Sequence, residues 1–386
     1  AALSLSSSKA GVAASYAHQQ ADGYRDQSAM KRDMFMIQSN VWAGRKNSVS
    51  LNLLYSDLYY QTPGGLTKIQ YDTMPPMARP NAALRKAAIY NKTIFGGVTW
   101  NADWNETLST KVSVFGNATD FKNPAIGNYE KRDEKSFGMR TENQWTNKSG
   151  KLTAGAEFQT GRSEIAVGIN NQGAFVDNGN DVRLPTTVFF LFAQYDWNLP
   201  NDFSLTTGLS LNQLNLKFDT LSNSGYKNVN ERKLSSIFSP RVALLKKSND
   251  NLSSYLSYSR GYSPPTTAEV FPSLAVYNPK LQPEYGNSYE AGIKGFWQWI
   301  ETSLTFYSFQ LDKTIIRLDS AASDYFTNAG HTTQNGMEAY IKFKTPIGLS
   351  GWYSYSFNDY HFKDYVQNNS DFSGNQVTGT SPNVAS

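Results

Sequence analysis

Three histidines, His18, His331 and His361, and no cysteine make up the chain's stock of nucleophile activators and soft metal ligands. Without thiolates there is no disulfide framework, no Cys-ligated zinc and no Cys-bound iron–sulfur cluster. The histidines follow neither HxxxH nor HExxH spacing, and no GxSxG element presents a serine. No recognisable motif for a hydrolase's Ser–His or Asp–His arrangement is therefore present, and each histidine reads as a hydrogen-bonding residue at a rim or in a loop. No enzymatic activity, no resident metal and no cofactor are expected. What the sequence does offer is cations and aromatic rings in Gly-, Pro- and Asn-rich segments. Guanidinium and ammonium groups beside phenol rings are the chemistry of anion capture. The candidate residues are Tyr60, Gln61, Arg79, Arg85, Lys122, Arg162, Arg183 and Arg317, with Arg25, Arg132, Tyr71, Phe121 and Phe175 in the same segments.

The segments between them must position these groups, and those segments share a period of two. Phe203, Leu205, Thr207, Leu209 and Leu211 alternate with Ser204, Thr206, Gly208, Ser210 and Asn212. Val49, Leu51, Leu53 and Tyr55 alternate with Ser50, Asn52, Leu54 and Ser56, and Leu152, Ala154, Ala156 and Phe158 with Thr153, Gly155 and Glu157. Side chains on a strand point alternately to two faces, so each segment has one apolar and one polar face. By this parity Tyr60 points away from the apolar face, whereas Arg260, in step with Leu252 and Leu256, points with it.

The connections alternate as well. Short polar turns are predicted near Ser8–Gly11, Gly44–Asn47, Ala102–Glu106, Asn147–Gly150, Pro200–Asp202, Lys247–Asn251, Phe296–Ile300 and Thr345–Gly348. Between them lie long loops: Ala21–Met30, Gln61–Ala87, Asp120–Asp133, Gly161–Pro185, Asp219–Lys233, Gly261–Gly286, Lys313–Thr332 and His361–Thr378. About 17 strands, often long, with alternating short and long connections, are the pattern of a transmembrane antiparallel β-barrel. Such strands close on one another because unpaired backbone groups cannot face lipid.

Composition points the same way. Aromatic residues make up 14% of the 386 residues and charged residues only 18%, against roughly 25% charged in an average globular chain. A soluble sheet protein would carry charge on its exposed alternates; here those positions are mostly uncharged. Tyr and Trp near strand ends, as in Trp42, Tyr59, Trp100, Tyr195, Trp197 and Tyr353, fit aromatic girdles. The net charge of +4 is too small to call for nucleic acid.

Several elements in order resemble one family. Ser239-Pro240-Arg241 and the Tyr258–Pro265 run precede Asn278-Pro279, Leu281 and Pro283-Glu284. Glu290, Gly292 and Lys294 follow, and then Asn328 with Gly336-Met337-Glu338. This set resembles the barrel of TonB-dependent outer-membrane receptors. The earlier ADGYRDQS, YQTPGGLTKIQYD and MARP segments are similar to the subgroup that imports ferric siderophores and ferric citrate. The resemblance implies a barrel of about 22 strands around a plugged lumen. Residues 1–386 would then be a partial barrel, strands two to about eighteen, with the plug and TonB box lying outside this chain.

The implied function is a monomeric receptor in the bacterial outer membrane. It would bind a ferric siderophore-type ligand and import it with energy from the TonB complex, which it would meet through the absent N-terminal part. Its surroundings would be outer-membrane lipid and lipopolysaccharide, with no nucleic acid. The alternatives are a passive porin-like channel, or a TonB-dependent importer of haem, cobalamin or a glycan. The carboxylates Glu284, Glu290 and Glu338 are expected to be structural, each with a hydrogen-bond donor nearby.

Overall fold

A computed structural model describes residues 1–42, 44, 46–220, 230–233, 236–271, 278, 280–320, 323–367, 370–377 and 379–386. The middle of the predicted Asp219–Lys233 loop, parts of the Gly261–Gly286, Lys313–Thr332 and His361–Thr378 loops, and Pro279 lie outside these residues.

In chain order the elements are β1 (Ala2–Ser6), β2 (Ala10–Ala21), β3 (Met30–Trp42), β4 (Asn47–Gln61), α1 (Lys68–Thr73), β5 (Ala88–Asp103), β6 (Leu108–Pro124), β7 (Tyr129–Asn147) and β8 (Gly150–Asn171). There follow β9 (Ala174–Leu199), β10 (Phe203–Thr220), β11 (Asn230–Lys233), β12 (Ile237–Asn249), β13 (Leu252–Ser263), α2 (Thr267–Val270), β14 (Glu284–Phe296) and β15 (Ile300–Asp312). The chain ends with β16 (Ile315–Ser320), β17 (Ser323–Asn328), β18 (His331–Lys344), β19 (Ser350–Asp364), β20 (Val366–Gln367), β21 (Ser370–Asp371) and β22 (Asn383–Ala385). Among the described residues no helix is long and apolar enough to cross a membrane.

Eighteen of these strands form one antiparallel sheet, while β16–β17 and β20–β21 are separate two-stranded hairpins inside loops. β11 and β12 pair with different stretches of β10, so they are two segments of one strand position. The eighteen strands thus fill seventeen positions, each next to its neighbour in sequence, in agreement with the predicted count. Register runs without a bulge across β2 to β7, so one parity holds from strand to strand. Leu211, for example, lies between Leu191 and Phe238, and Leu209 between Ala193 and Pro240. Leu209 and Leu211 remain 44% and 39% exposed, because the barrel's apolar face looks outward. Trp100, Tyr195, Trp197 and Tyr353 stand on that outer face near the tight turns, with the Tyr195 and Trp197 rings 4.3 Å apart. Tyr59 and Tyr90 pair at 4.9 Å toward the other end. Trp42 has the opposite parity, packing against Gly11, and does not belong to a girdle.

The short-turn end is as predicted. The β9–β10 connection is the three-residue turn 200–202, with Asn201 and Asp202 both in the left-handed region, at φ 59° and 58°.

Two predicted long loops are not loops. The Asp120–Asp133 segment is strand except for residues 125–128, and Gly161–Pro185 is strand on both sides of Gln172–Gly173. Gln172 at φ 51° and Gly173 at φ 91° make a two-residue hairpin turn, whose twist matches that of the flanking strands. The physical cause is a change of sign in the alternation. In β8, Leu152, Ala154, Ala156 and Phe158 point outward, but beyond Gly161 the outward positions are Arg162 and Glu164 and the apolar ones, Ile165 and Val167, point inward. The strands continue past the apolar band with their faces exchanged.

Those inward residues make the one sizeable packed core among the described residues. Ile165, Val167, Val182, Leu184, Leu216 and Phe218 enclose Val270 and Phe271 of the α2 turn and Leu281, with Ile315 and Phe326 against them. The core thus ties the β13–β14 connection and the β16–β17 hairpin to the tall β8–β10 wall. Thr266 and Glu269 form a capping box that starts α2.

Candidate functional site

At the long-loop end, the inward face of β3 to β8 carries a row of cross-strand partners: Arg32, Leu58, Asn91, Phe121, Arg132 and Ile165. Arg32 Nε donates to Ser56 Oγ at 3.3 Å. The Arg132 guanidinium pairs with the buried carboxylate of Glu130 and lies 5.9 Å from the Phe121 ring. Tyr60 stands one step further out on β4, between Met30 and Ile89, and shares the inward parity predicted for it.

Over this row sits the segment from Thr62 to Ala87. Its α1 turn is started by a capping box between Thr67 and Gln70. Side chains from other elements pin the segment down through its backbone. Arg25 donates from Nε and Nη2 to the Met77 carbonyl at 3.1 and 3.0 Å, and Gln27 Nε2 donates to the Ala87 carbonyl at 3.1 Å. Asn170, fully buried at the tip of β8, donates from Nδ2 to the carbonyls of Arg85 and Ala125 at 2.8 and 2.7 Å. Ala82 and Ala87 are buried beneath it. The segment is thus a fixed platform, and it presents Ile69, Tyr71 and Met74 to solvent.

The predicted site residues divide by position. Tyr60 lies at the mouth, and Gln61 at the end of β4 is engaged, its Oε1 accepting from the Ala29 N–H at 3.1 Å. Arg79 is exposed on the platform. Its aliphatic stem packs on Gly64, whose φ of +73° and lack of Cβ permit the contact; a Cβ there would come within 2.9 Å of Arg79 Cβ. Arg85 is structural, since its guanidinium donates to the Asn170 carbonyl. Lys122, Arg162 and Arg183 are not loop residues. They stand on β6, β8 and β9 with outward parity, in a belt of ion pairs: Lys122–Asp120 at 3.1 Å, Arg183–Glu164 at 3.0 Å and Arg162–Glu164 at 3.8 Å. The strand extension that replaced their loops turned them away from the lumen. Arg317 is exposed on β16, in the hairpin above β15. Arg32 was missed in the sequence, although its parity, opposite to that of Phe35, Ile37 and Val41, would have revealed it.

The motif residues are structural. Asn328 Nδ2 donates to the carbonyls of Gln282 and Lys313 at 2.9 and 2.6 Å, and its Oδ1 accepts from the Gln282 N–H at 2.7 Å. Asn278 Nδ2 donates to the Phe326 carbonyl at 2.7 Å. Together they staple the β13–β14 connection to the β16–β17 hairpin. Glu284 accepts from the Ile315 N–H at 2.5 Å, as expected of it. Glu290 and Glu338 depart from the expectation: they face the lumen on β14 and β18 with no hydrogen bond or ion pair among the described residues. Asn328→Ala is expected to strand three backbone groups and cost about 1–3 kcal/mol. The loss should appear as a lower thermal midpoint of the intact receptor, with an unchanged midpoint excluding the staple.

An antiparallel meander with its apolar face outward, tight turns at one end and tall hairpins and platforms at the other defines an outer-membrane-type β-barrel. The chain belongs to the TonB dependent receptor-like, beta-barrel family, whose profile matches residues 21–386. The family is one of outer-membrane receptors and transporters, not of enzymes. No curated protein matches the sequence. Among solved structures the chain is similar to the unliganded ferric citrate transporter FecA, at 13% identity and a TM-score of 0.78, over 94% of this chain and 56% of that one. It is also similar to the copper transporter OprC, at 14% identity and a TM-score of 0.73, over 92% and 57%. A third is the Pseudomonas aeruginosa ferripyoverdine receptor bound to ferripyoverdine, at 15% identity and a TM-score of 0.73, over 98% and 55%. The chain spans a little over half the length of these proteins, and at such identities the likeness shows the fold.

Proposed function

We propose that this chain is the barrel part of an outer-membrane receptor that binds an anionic ferric siderophore-type complex at its long-loop end. The import would be energised by TonB. The observation that carries the reading is the platform of residues 62–87, fixed by Arg25, Gln27 and Asn170 above the mouth. It offers a guanidinium at Arg79 with no partner among the described residues and a phenol at Tyr71, with Tyr60 beneath. A cation held on a rigid support attracts a chelate's negative charge without a large ordering cost, and aromatic rings cover its apolar flanks. Arg32 and Phe121 continue the cationic and aromatic lining inward. The unpaired lumen carboxylates Glu290 and Glu338 fit a cationic partner inside the barrel, where the family's plug would stand.

Titration of the intact receptor with ferric citrate and with ferric catecholate and hydroxamate chelates tests the site. Arg79→Ala is expected to weaken binding of the preferred chelate about tenfold, as loss of one charge-assisted contact does. Wild-type affinity should fall with added salt more steeply than the variant's. Equal affinities for wild type and Arg79→Ala would remove the platform from the site. Binding of cobalamin or a glycan, with no ferric chelate bound, would replace the ligand class.

A further inference from the structure

Glycines on the lumen face lie beneath aromatic rings from the neighbouring strands. Tyr255 on β13 is the cross-strand partner of Gly292 on β14, Tyr307 on β15 of Gly336 on β18, and Phe115 on β6 of Gly138 on β7. A Cβ at Gly138 would stand 2.5 Å from Phe115 Cζ, and one at Gly292 or Gly336 would overlap Tyr255 or Tyr307 more closely still. The rings therefore occupy the space that a side chain at these positions would need.

A strand side chain ordinarily stands roughly perpendicular to its sheet. These rings lie across it. Tyr255 spans β14 entirely, its Oη 3.2 Å from Thr305 Oγ1 on β15. Tyr307 spans β18, donating from Oη to Asn358 Oδ1 at 2.9 Å and meeting Tyr360 Oη at 2.7 Å on β19. Each phenol is thus held down two strands away from its own, and all three rings are half-buried although they face the lumen. A ring over a glycine stabilises a sheet wherever it occurs. Here it also decides what projects inward. Glu290 is the partner of Tyr307 on the side away from Gly336, and Glu338 is the partner of Thr305. This stretch of wall therefore presents flat ring faces with charge at separate points, which suits a folded protein surface pressed against it.

We propose that Gly138, Gly292 and Gly336 are positioning residues for the plug: each keeps an aromatic side chain flat, so that the wall accepts a close-packed domain inside the barrel. The proposal rests on the reading of a plugged, TonB-energised receptor. A Cβ at any of the three positions forces its ring to rotate upright, into volume that the seated plug fills. Interfaces packed as tightly as protein interiors do not absorb an added ring without shifting.

Ion conductance of the intact receptor in planar bilayers tests this, with folding checked by heat-dependent gel mobility. Gly138 and Gly292 are the positions to change, because the atoms nearest an added Cβ all belong to the ring, whereas at Gly336 the Phe357 carbonyl oxygen would also lie 2.8 Å away. Wild type should be closed. Gly138→Ala with Gly292→Ala should raise the fraction of conducting receptors about tenfold as overpacking loosens the seat, and Gly292→Ala alone should raise it less. Adding Phe115→Ala and Tyr255→Ala removes the lifted rings and should restore closure, whereas glycines that serve only the sheet would leave the quadruple variant at least as leaky as the double. Closed glycine variants, or a quadruple variant as leaky as the double, would overturn the proposal and leave the plugged receptor standing. A conducting wild type would overturn the plugged reading itself, and this proposal with it.

Discussion

Leu209→Arg in the intact receptor is expected to cost about 2–4 kcal/mol of folding stability in lipid vesicles, the penalty for a cation at the bilayer midplane of a barrel. Ser210→Arg, one residue on, should cost far less. The two positions differ only in parity. Leu209 stands between Ala193 and Pro240 on the outward face, and Ser210 between Phe192 and Ser239 on the lumen face. In a soluble protein a residue as exposed as Leu209 would accept an arginine within a few tenths of a kcal/mol. Reversible denaturation of both variants from vesicles separates the cases, and equal costs would contradict the assigned facing.

Phe271→Ala is expected to loosen the long-loop end without harming the membrane sheet. Phe271 is 1% exposed and its ring centroid lies 5.9 Å from that of Phe218. Removing a buried phenyl ring costs about 3–5 kcal/mol through lost burial and the cavity left behind. The cost falls on the packing of α2 and the β16–β17 hairpin against β8–β10, since the sheet's backbone ladder does not pass through it. Limited proteolysis should show faster cleavage between β13 and β14, with the barrel's heat-dependent gel mobility retained. Unchanged cleavage would mean that the core does not hold this connection.

The barrel itself was legible in the sequence because a membrane imposes one rule on every strand: an apolar residue at each outward position. That rule placed Leu209, Leu211 and Tyr60 on their faces and yielded the strand count. It stopped working where the membrane stops. Above the apolar band, Arg162, Glu164 and Arg183 take the outward positions while Ile165, Val167, Val182 and Leu184 turn inward against α2. The period of two survives with its sign reversed, so the segments looked like polar loops and their basic residues like ligand contacts. The Gln172–Gly173 turn was the available clue to the hairpin.

The platform was visible as a segment but not as a rigid body. Its anchors, Arg25, Gln27 and Asn170, act on backbone carbonyls up to 85 residues away, and a carbonyl leaves no trace in residue type. The same reason made Arg85 look like a ligand contact, whereas its guanidinium is used on the Asn170 carbonyl. The motif carboxylates show the converse. Glu284 met the expectation of a nearby donor because its partner is local to the loop end. Glu290 and Glu338 did not, because on β14 and β18 no donor among the described residues reaches them.

The central claim is energised import of a ferric chelate, and uptake of labelled iron measures it most directly. Cells lacking other ferric receptors but carrying the intact protein would be supplied with ferric citrate and with catecholate and hydroxamate chelates, with TonB present and with TonB removed. The account predicts accumulation of iron from one chelate class when TonB is present and none above the receptor-less background when it is removed. Accumulation that persists without TonB would contradict it in favour of a passive channel.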